Sequence, residues 1–122
     1  DISFGADIIA GFPTETDTMF ENTYKLLRDN EISHLHIFPF SPKNNTPASR
    51  MPQVSKSIIK ERAKILRDLG KLILKKVKSK LLLPREILIE ELNSGLAIGY
   101  DQNYIKHEVP LVGVPVGEVI RV

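Results

Sequence analysis

The stretch Gly5-Ala6-Asp7-Ile8-Ile9-Ala10-Gly11-Phe12-Pro13-Thr14-Glu15-Thr16, with His34-Leu35-His36-Ile37-Phe38-Pro39-Phe40 further along, decides the fold of the first half of the chain. Asp7–Phe12 is a short, nearly continuous apolar run, the texture of a parallel strand covered on both faces. Pro13 stops it. Thr14, Thr16 and Thr18 then offer helix caps. Thr14-x-x-Asp17 and Thr18-x-x-Glu21 both read as capping boxes, with acidic side chains in the first turn where the helix dipole favours them. Phe20, Tyr24 and Leu27 follow at i, i+4 and i+7 and form one apolar face of a helix ending near Asp29-Asn30. His34–Phe40 is rich in β-formers and alternates in character. Strand, helix and strand with short joints form a βαβ unit, which implies a parallel sheet. Two strands do not bury such a sheet on both faces, so this block needs partners.

Beyond it, residues 41–54 carry Pro42, Pro47, Pro52 and Asn44-Asn45, and read as a loop well above the usual length of about 4–6 residues. Ser55 opens a helix expected to reach about Lys78, roughly 36 Å long at about 1.5 Å per residue. Ile59, Ala63, Leu66, Ile73 and Val77 keep one face, which Ile58, Ile65, Leu69 and Leu72 widen. Opposite them lie Lys60, Lys64, Arg67, Lys71, Lys75 and Lys78, a basic outer stripe. After Pro84 the texture turns to β. Glu86–Leu92, the turn Asn93-Ser94-Gly95 and Leu96–Tyr100 predict a hairpin. Asn103–Lys106, Leu111–Val114 and Gly117–Val122 read as further short strands, and such a series suggests a small OB-like β-barrel. The expected fold class is α/β followed by all-β.

The chain has 122 residues, 42% hydrophobic and 26% charged, the size and composition of about one ordinary globular domain. Its apolar runs are far short of the roughly 20 residues of a membrane span. No charged-then-apolar leader is visible at the start, which points to the cytoplasm. The first residue is Asp1, so we expect a piece of a longer protein. The net charge of +2 conceals three blocks, −3 over residues 1–54, +9 over 55–85 and −4 over 86–122. Such segregation indicates separate structural jobs. Zero cysteine excludes disulfides, thiolate nucleophiles and any iron–sulfur cluster held by this chain alone.

The turn Gly11–Thr16 joins a strand to a helix N-terminus, where backbone N–H groups favour an anion and where α/β sheets place ligands; any βα turn, however, needs Gly or Pro and a cap. His34 and His36 share a strand face. They suit a metal or a ligand, or a satisfied core, and no third metal ligand is in evidence. If Leu35 and Ile37 face the helices, the histidines and Phe38 face whatever the sheet encloses. The lysine stripe, with Lys60, Lys64, Arg67 and Lys71 at its centre, suits phosphates or is a solvated helix face. Tyr100 and Tyr104 suit base stacking or half-buried packing. No carboxylate pair, Ser/His/Asp set or phosphate loop with a lysine stands out.

Gly5–Thr16, Leu35-His36-Ile37-Phe38-Pro39-Phe40-Ser41-Pro42-Lys43 and Thr46-Pro47-Ala48-Ser49-Arg50-Met51-Pro52 resemble, in order and spacing, the last third of the radical S-adenosylmethionine methylthiotransferases. Lys60-Glu61-Arg62-Ala63 and its helix resemble that family's connection into its TRAM domain, and Gly99-Tyr100-Asp101-Gln102-Asn103-Tyr104-Ile105 is similar to the central tract of that domain. The form His36-Ile37-Phe38-Pro39-Phe40-Ser41 most resembles the branch that modifies threonylcarbamoyladenosine beside the tRNA anticodon. The resemblance implies that residues 1–54 end a partial (β/α) barrel, 55–80 form a linking helix and 81–122 a TRAM-like small barrel. It implies S-adenosylmethionine and [4Fe–4S] cofactors for the full-length protein, none held by this chain alone, with tRNA as partner and no membrane. Ile9 and Gly11 would lie beside the adenosyl group, His36 and Phe38 would face the barrel interior, and Lys60, Lys64, Arg67, Lys71 and Tyr104 would contact RNA. Two departures stand out: the family usually has Gly where Thr14 and Asn45 stand. Asn tolerates a left-handed backbone, but Thr there is strained, so the loop after Phe12 is expected to have shifted. The competing readings are a stand-alone RNA-binding module, a degraded gene remnant, and a split enzyme whose cluster-binding half is a separate chain.

Overall fold

A computed structural model describes residues 2–82 and 84–122. These residues form two compact units, 4–77, and 78–122 grouped with residues 2–3. In the first, strand β1 (Gly5–Ala10) leads to helix α1 (Asp17–Asp29) and strand β2 (His34–Pro39); the long helix α2 (Lys56–Ser79) follows a short 3-10 turn at Pro47–Arg50. The strands pair in parallel, Gly5 opposite His34 through Ala10 opposite Pro39. The βαβ unit is therefore present, with β1 ending two residues before Phe12 because the chain turns at Gly11, whose φ is +76°.

Alternation decides the packing. Ile8 and Ala10 from β1 and Leu35 and Ile37 from β2 point to the helices, where they meet Phe20, Tyr24 and Leu27 of α1 and Ala63, Leu66, Leu69 and Ile73 of α2. The periodic face of α1 is the one that packs. Its cap is Thr16, whose hydroxyl accepts from the Met19 N–H at 3.2 Å, the middle of the three threonines rather than the start of either expected capping box. On α2 the buried stripe is Ile59, Arg62, Ala63, Leu66, Leu69 and Ile73. Ile58, Ile65 and Leu72, expected to widen it, are exposed. Each stands one position before a buried residue of the stripe (Ile59, Leu66, Ile73) and so lies about 100° around the helix from it, to the side of the core.

Gly11 is fixed by that helix. A β-carbon there would lie 2.4 Å from Ile59 Cγ1, so only glycine lets α2 approach the end of β1. Thr14 keeps a left-handed backbone, φ +70°, and its N–H donates to the Pro52 carbonyl at 3.1 Å. Thr14 is thus left-handed despite its branched side chain, and a β-branched residue bears the strain at this turn. Asn45 is left-handed as well, φ +66°.

In the second unit, β3 (Glu86–Asn93), β4 (Leu96–Asp101), β5 (Lys106–Pro110) and β6 (Val119–Arg121) form an antiparallel sheet in the order β5-β4-β3-β6. The hairpin turn is Ser94-Gly95, with φ of +49° and +83°, the two left-handed residues of a tight two-residue hairpin loop. A bulge between Ile89 and Glu91 re-registers β3. The core holds Ile87, Ile89 and Ala97, with Val109, Leu111, Val114 and Ile120 against it. The sequence expectation of strands at Asn103–Lys106 and Leu111–Val114 is corrected. The former is mostly a turn and the pairing begins at Lys106; the latter bends at Gly113, φ +89°, between Pro110 and Pro115, while Leu111 and Val114 still pack inward. Gly99 is obligatory, since a β-carbon would come 2.1 Å from the Leu88 carbonyl oxygen.

Beside this sheet lies a buried charge cage. Arg85 Nε donates to Asp101 Oδ2 at 2.7 Å and its Nη2 donates to Asn103 Oδ1. Asp101 Oδ1 accepts from the N–H groups of Asn103, 2.8 Å, and Ile105, 3.1 Å, and His107 Nε2 lies 2.9 Å from Oδ2. Burial opposes the Asp101 charge, but the hydrogen bonds from His107, from the Ile105 and Asn103 backbone and from Arg85 outweigh it and hold its carboxyl below the usual carboxylate range.

The strained Thr14 and the buried Asp101 each lead to a measurable outcome. Replacing Thr14 by Gly removes a β-branched left-handed residue and should raise stability by about 0.5–1 kcal/mol after the added chain entropy; a lower denaturation midpoint would contradict it. For Asp101 the folded pKa lies below the unfolded one. Its stabilisation is therefore full above about pH 4 and lost as pH falls through the folded value. Asp101→Asn leaves Arg85 buried without its counter-charge and should cost about 3–5 kcal/mol at neutral pH. The mutant's stability should also vary less with pH below about 4, measured by denaturant unfolding across pH.

Candidate functional site

The face of the β1–β2 sheet turned away from the helices is open. Register places Asp7 directly beside His36 and Ile9 directly beside Phe38. Ile9 is 53% and Phe38 51% exposed, high for large apolar side chains on a parallel sheet. At the carboxyl end, Phe12 and Phe40 meet edge to face, 5.5 Å between centroids. The face thus offers an apolar strip beside an imidazole–carboxylate row, chemistry suited to stacking a planar group and hydrogen-bonding its edge. Ile9, His36 and Phe38 come together here. Gly11 does not; it lies past the strand, against Ile59. No group of three His, Cys, Asp or Glu able to hold a metal ion occurs among the described residues.

The βα turn supplies its own anion. The Gly11 N–H donates to Glu15 Oε1 at 3.2 Å, and the same oxygen accepts from Arg62 at 2.7 Å. Arg62 also binds the Glu15 carbonyl, 3.1 Å, and Asp17, 2.7 Å, and its guanidinium lies 5.4 Å from the centre of the Phe20 ring.

On the outer side of α2, Lys60, Lys64 and Lys71 are exposed. Lys64 pairs with Asp68 at 2.7 Å; this hydrogen bond raises the lysine pKa and lowers that of the aspartate. Arg67 donates to the Ile37 carbonyl at 3.3 Å. A cleft of about 570 Å³ opens where β2 ends, walled by Pro39, Phe40 and Ile59 and rimmed by Lys56, Lys60 and Arg67. Its cations and its place at the carboxyl end of a strand suit an anionic ligand.

In the second unit Tyr104 stands on Tyr100, ring centroids 4.8 Å apart and planes 21° from parallel. Tyr104 is 68% exposed. Sequence reasoning singled out neither Arg62 nor the Arg85–Asp101–Asn103–His107 cage. A signal for the first existed: Arg62 sits three residues after Ile59 and four before Leu66, a charge inside an apolar stripe. For the cage there was none, because its members meet only when β3, β4 and β5 pair.

No family model matches the chain. Curated relatives do. The chain is 42% identical over 121 residues to the threonylcarbamoyladenosine tRNA methylthiotransferase MtaB of Thermotoga maritima, a match covering 97% of this chain and 27% of that protein. It is 64% identical over 70 residues to the MtaB of Rickettsia prowazekii, covering 57% and 17% respectively. A tRNA-2-methylthio-N(6)-dimethylallyladenosine synthase of Aquifex aeolicus is 38% identical over 101 residues, 81% of this chain and 23% of that protein. The chain therefore spans about a quarter of the length of relatives that it matches nearly end to end. By sequence, this chain is a homologue of the tRNA methylthiotransferases and corresponds to a part of such a protein.

Proposed function

We propose that the chain is the C-terminal part of an enzyme that adds a methylthio group to C2 of threonylcarbamoyladenosine near the tRNA anticodon. The observation that carries this reading is the 42% identity to a tRNA methylthiotransferase across 97% of the chain. On this reading residues 1–54 close a partial (β/α) barrel, 55–80 form a linking helix, and 81–122 are a TRAM-like domain whose sheet curls into a small barrel. The half-exposed Ile9 and Phe38 support it, since a sheet with one bare apolar face is what the last strands of a barrel would leave without their neighbours.

That face fits S-adenosylmethionine in kind. Ile9 and Phe38 would flank the adenosyl group, His36 would hydrogen-bond it, and Gly11 would bring α2 close enough to shape the mouth. S-adenosylmethionine and a [4Fe–4S] cluster together supply the radical chemistry of such enzymes when bound. With no cysteine in this chain, cluster ligands would come from the rest of the protein or from a separate chain. The site of action would be the cytoplasm, where tRNA is modified; no helix among the described residues is long and apolar enough to cross a membrane. Lys60, Lys64, Arg67 and Lys71 would hold tRNA phosphates, and Tyr104 would contact a base.

The test is tRNA binding by the 122-residue chain as a function of salt. Binding should weaken steeply as salt rises. Replacing Lys60, Lys64, Arg67 and Lys71 by Gln should flatten the log–log slope by about 0.7–0.9 for each phosphate that is no longer neutralised. Absence of binding at low ionic strength, or an unchanged slope, would contradict the assignment.

A further inference from the structure

The turn Asp101–Ile105 holds a bulky residue in a conformation that its side chain disfavours. Tyr104 has φ +58°, the left-handed region that costs a non-glycine residue about 1–2 kcal/mol. The turn is tightly imposed. Asp101 Oδ1 accepts from the N–H groups on either side of Tyr104, and the Tyr104 N–H itself donates to the Asp101 carbonyl at 2.9 Å. Asp101 is anchored in turn by Arg85. Gly or Asn would satisfy this backbone at less cost, and a ring that is 68% exposed gains little from burial. What the strain accomplishes is visible: it lays the Tyr104 ring flat over Tyr100, with one broad aromatic surface turned to solvent. Backbone strain of this kind clusters at sites that hold a ligand.

Cations stand at the same turn. Lys106 follows two residues later and pairs with Glu108 at 3.1 Å, and Lys78 Nζ donates to the Lys106 carbonyl at 3.0 Å. An aromatic surface beside lysines is the combination that takes an unpaired nucleotide, base on ring and phosphate on ammonium. We propose that Tyr100 and Tyr104 form a stacking platform for one unpaired RNA base, with Lys106 and Lys78 placed for its phosphate and Asp101 as the positioning residue that sets the outer ring. This rests on the tRNA reading above and deepens it: the platform selects looped-out over paired RNA.

The chain has three tyrosines and no tryptophan, so tyrosine emission reports the platform directly once Tyr24 is replaced by Phe. The probe is an RNA hairpin with an unpaired loop, with a blunt RNA duplex as control. The hairpin should quench the emission and bind more tightly than the duplex. Tyr104→Asn keeps a left-handed-tolerant backbone, so the unit folds, and should weaken hairpin binding about tenfold with the salt slope unchanged. Tyr104→Phe should bind as the parent does. If the parent binds the hairpin and Tyr104→Asn binds it equally, or if duplex and hairpin bind alike, the platform is wrong while the tRNA reading stands. If the parent binds neither RNA at low salt, both fall, and the exposed ring pair is left as a protein contact.

Discussion

Arg62 is the constraint on which the first unit depends. It is a full charge in the buried stripe of α2, with 6% of its side chain exposed, and its partner Glu15 is exposed by only 13%. Removing one member of such a pair strands the other and costs about 3–5 kcal/mol, far more than a surface ion pair contributes. The Asp17 contact adds less, because that carboxylate is 94% exposed. Through Glu15, Arg62 reaches the Gly11 N–H and so fastens α2 to the turn that leaves β1. The 2.4 Å clearance at Gly11 is the steric side of the same attachment.

One consequence is a sheet with two unlike faces. Because both helices are held on the Ile8, Ala10, Leu35 and Ile37 side, the Asp7, Ile9, His36 and Phe38 side stays bare. A cross-strand row of carboxylate and imidazole next to a row of exposed apolar side chains has the chemistry to meet something planar and polar-edged. The second unit repeats the device on a smaller scale. A buried arginine, Arg85, fixes a carboxylate, Asp101, which in turn dictates the backbone of an exposed turn. In both units a buried ion pair sets the geometry of a loop or face that does the presenting.

Much of this was legible from residue order. The periodic faces of α1 and α2, the parallel pairing of 34–39 with 5–10 and the Ser94-Gly95 hairpin all follow from spacing and turn chemistry, because each is decided by neighbours in sequence. The errors share a cause as well. Ile65 and Leu72 look like core on composition, but the side of α2 that packs is chosen by Arg62 and Ile59, which the sheet selects from a distance. Asn103–Lys106 has strand-like residues, yet Asp101 captures its N–H groups before a partner strand can. Thr14 holds a left-handed loop because the Pro52 carbonyl and the Arg62 attachment outweigh its local preference. Local propensity yields where packing against another element or a side-chain hydrogen bond competes with it.

The most direct test is to find where RNA touches the chain. Photo-crosslinking of a tRNA anticodon stem-loop carrying photoreactive nucleotides to the 122-residue chain, with the modified peptides mapped by mass spectrometry, answers it in one experiment. Adducts are expected in the peptides holding Lys60–Lys71 and the turn Asp101–Lys106. Adducts confined to the open face around Ile9 and Phe38, or none at low salt, would contradict the RNA-binding role of both units.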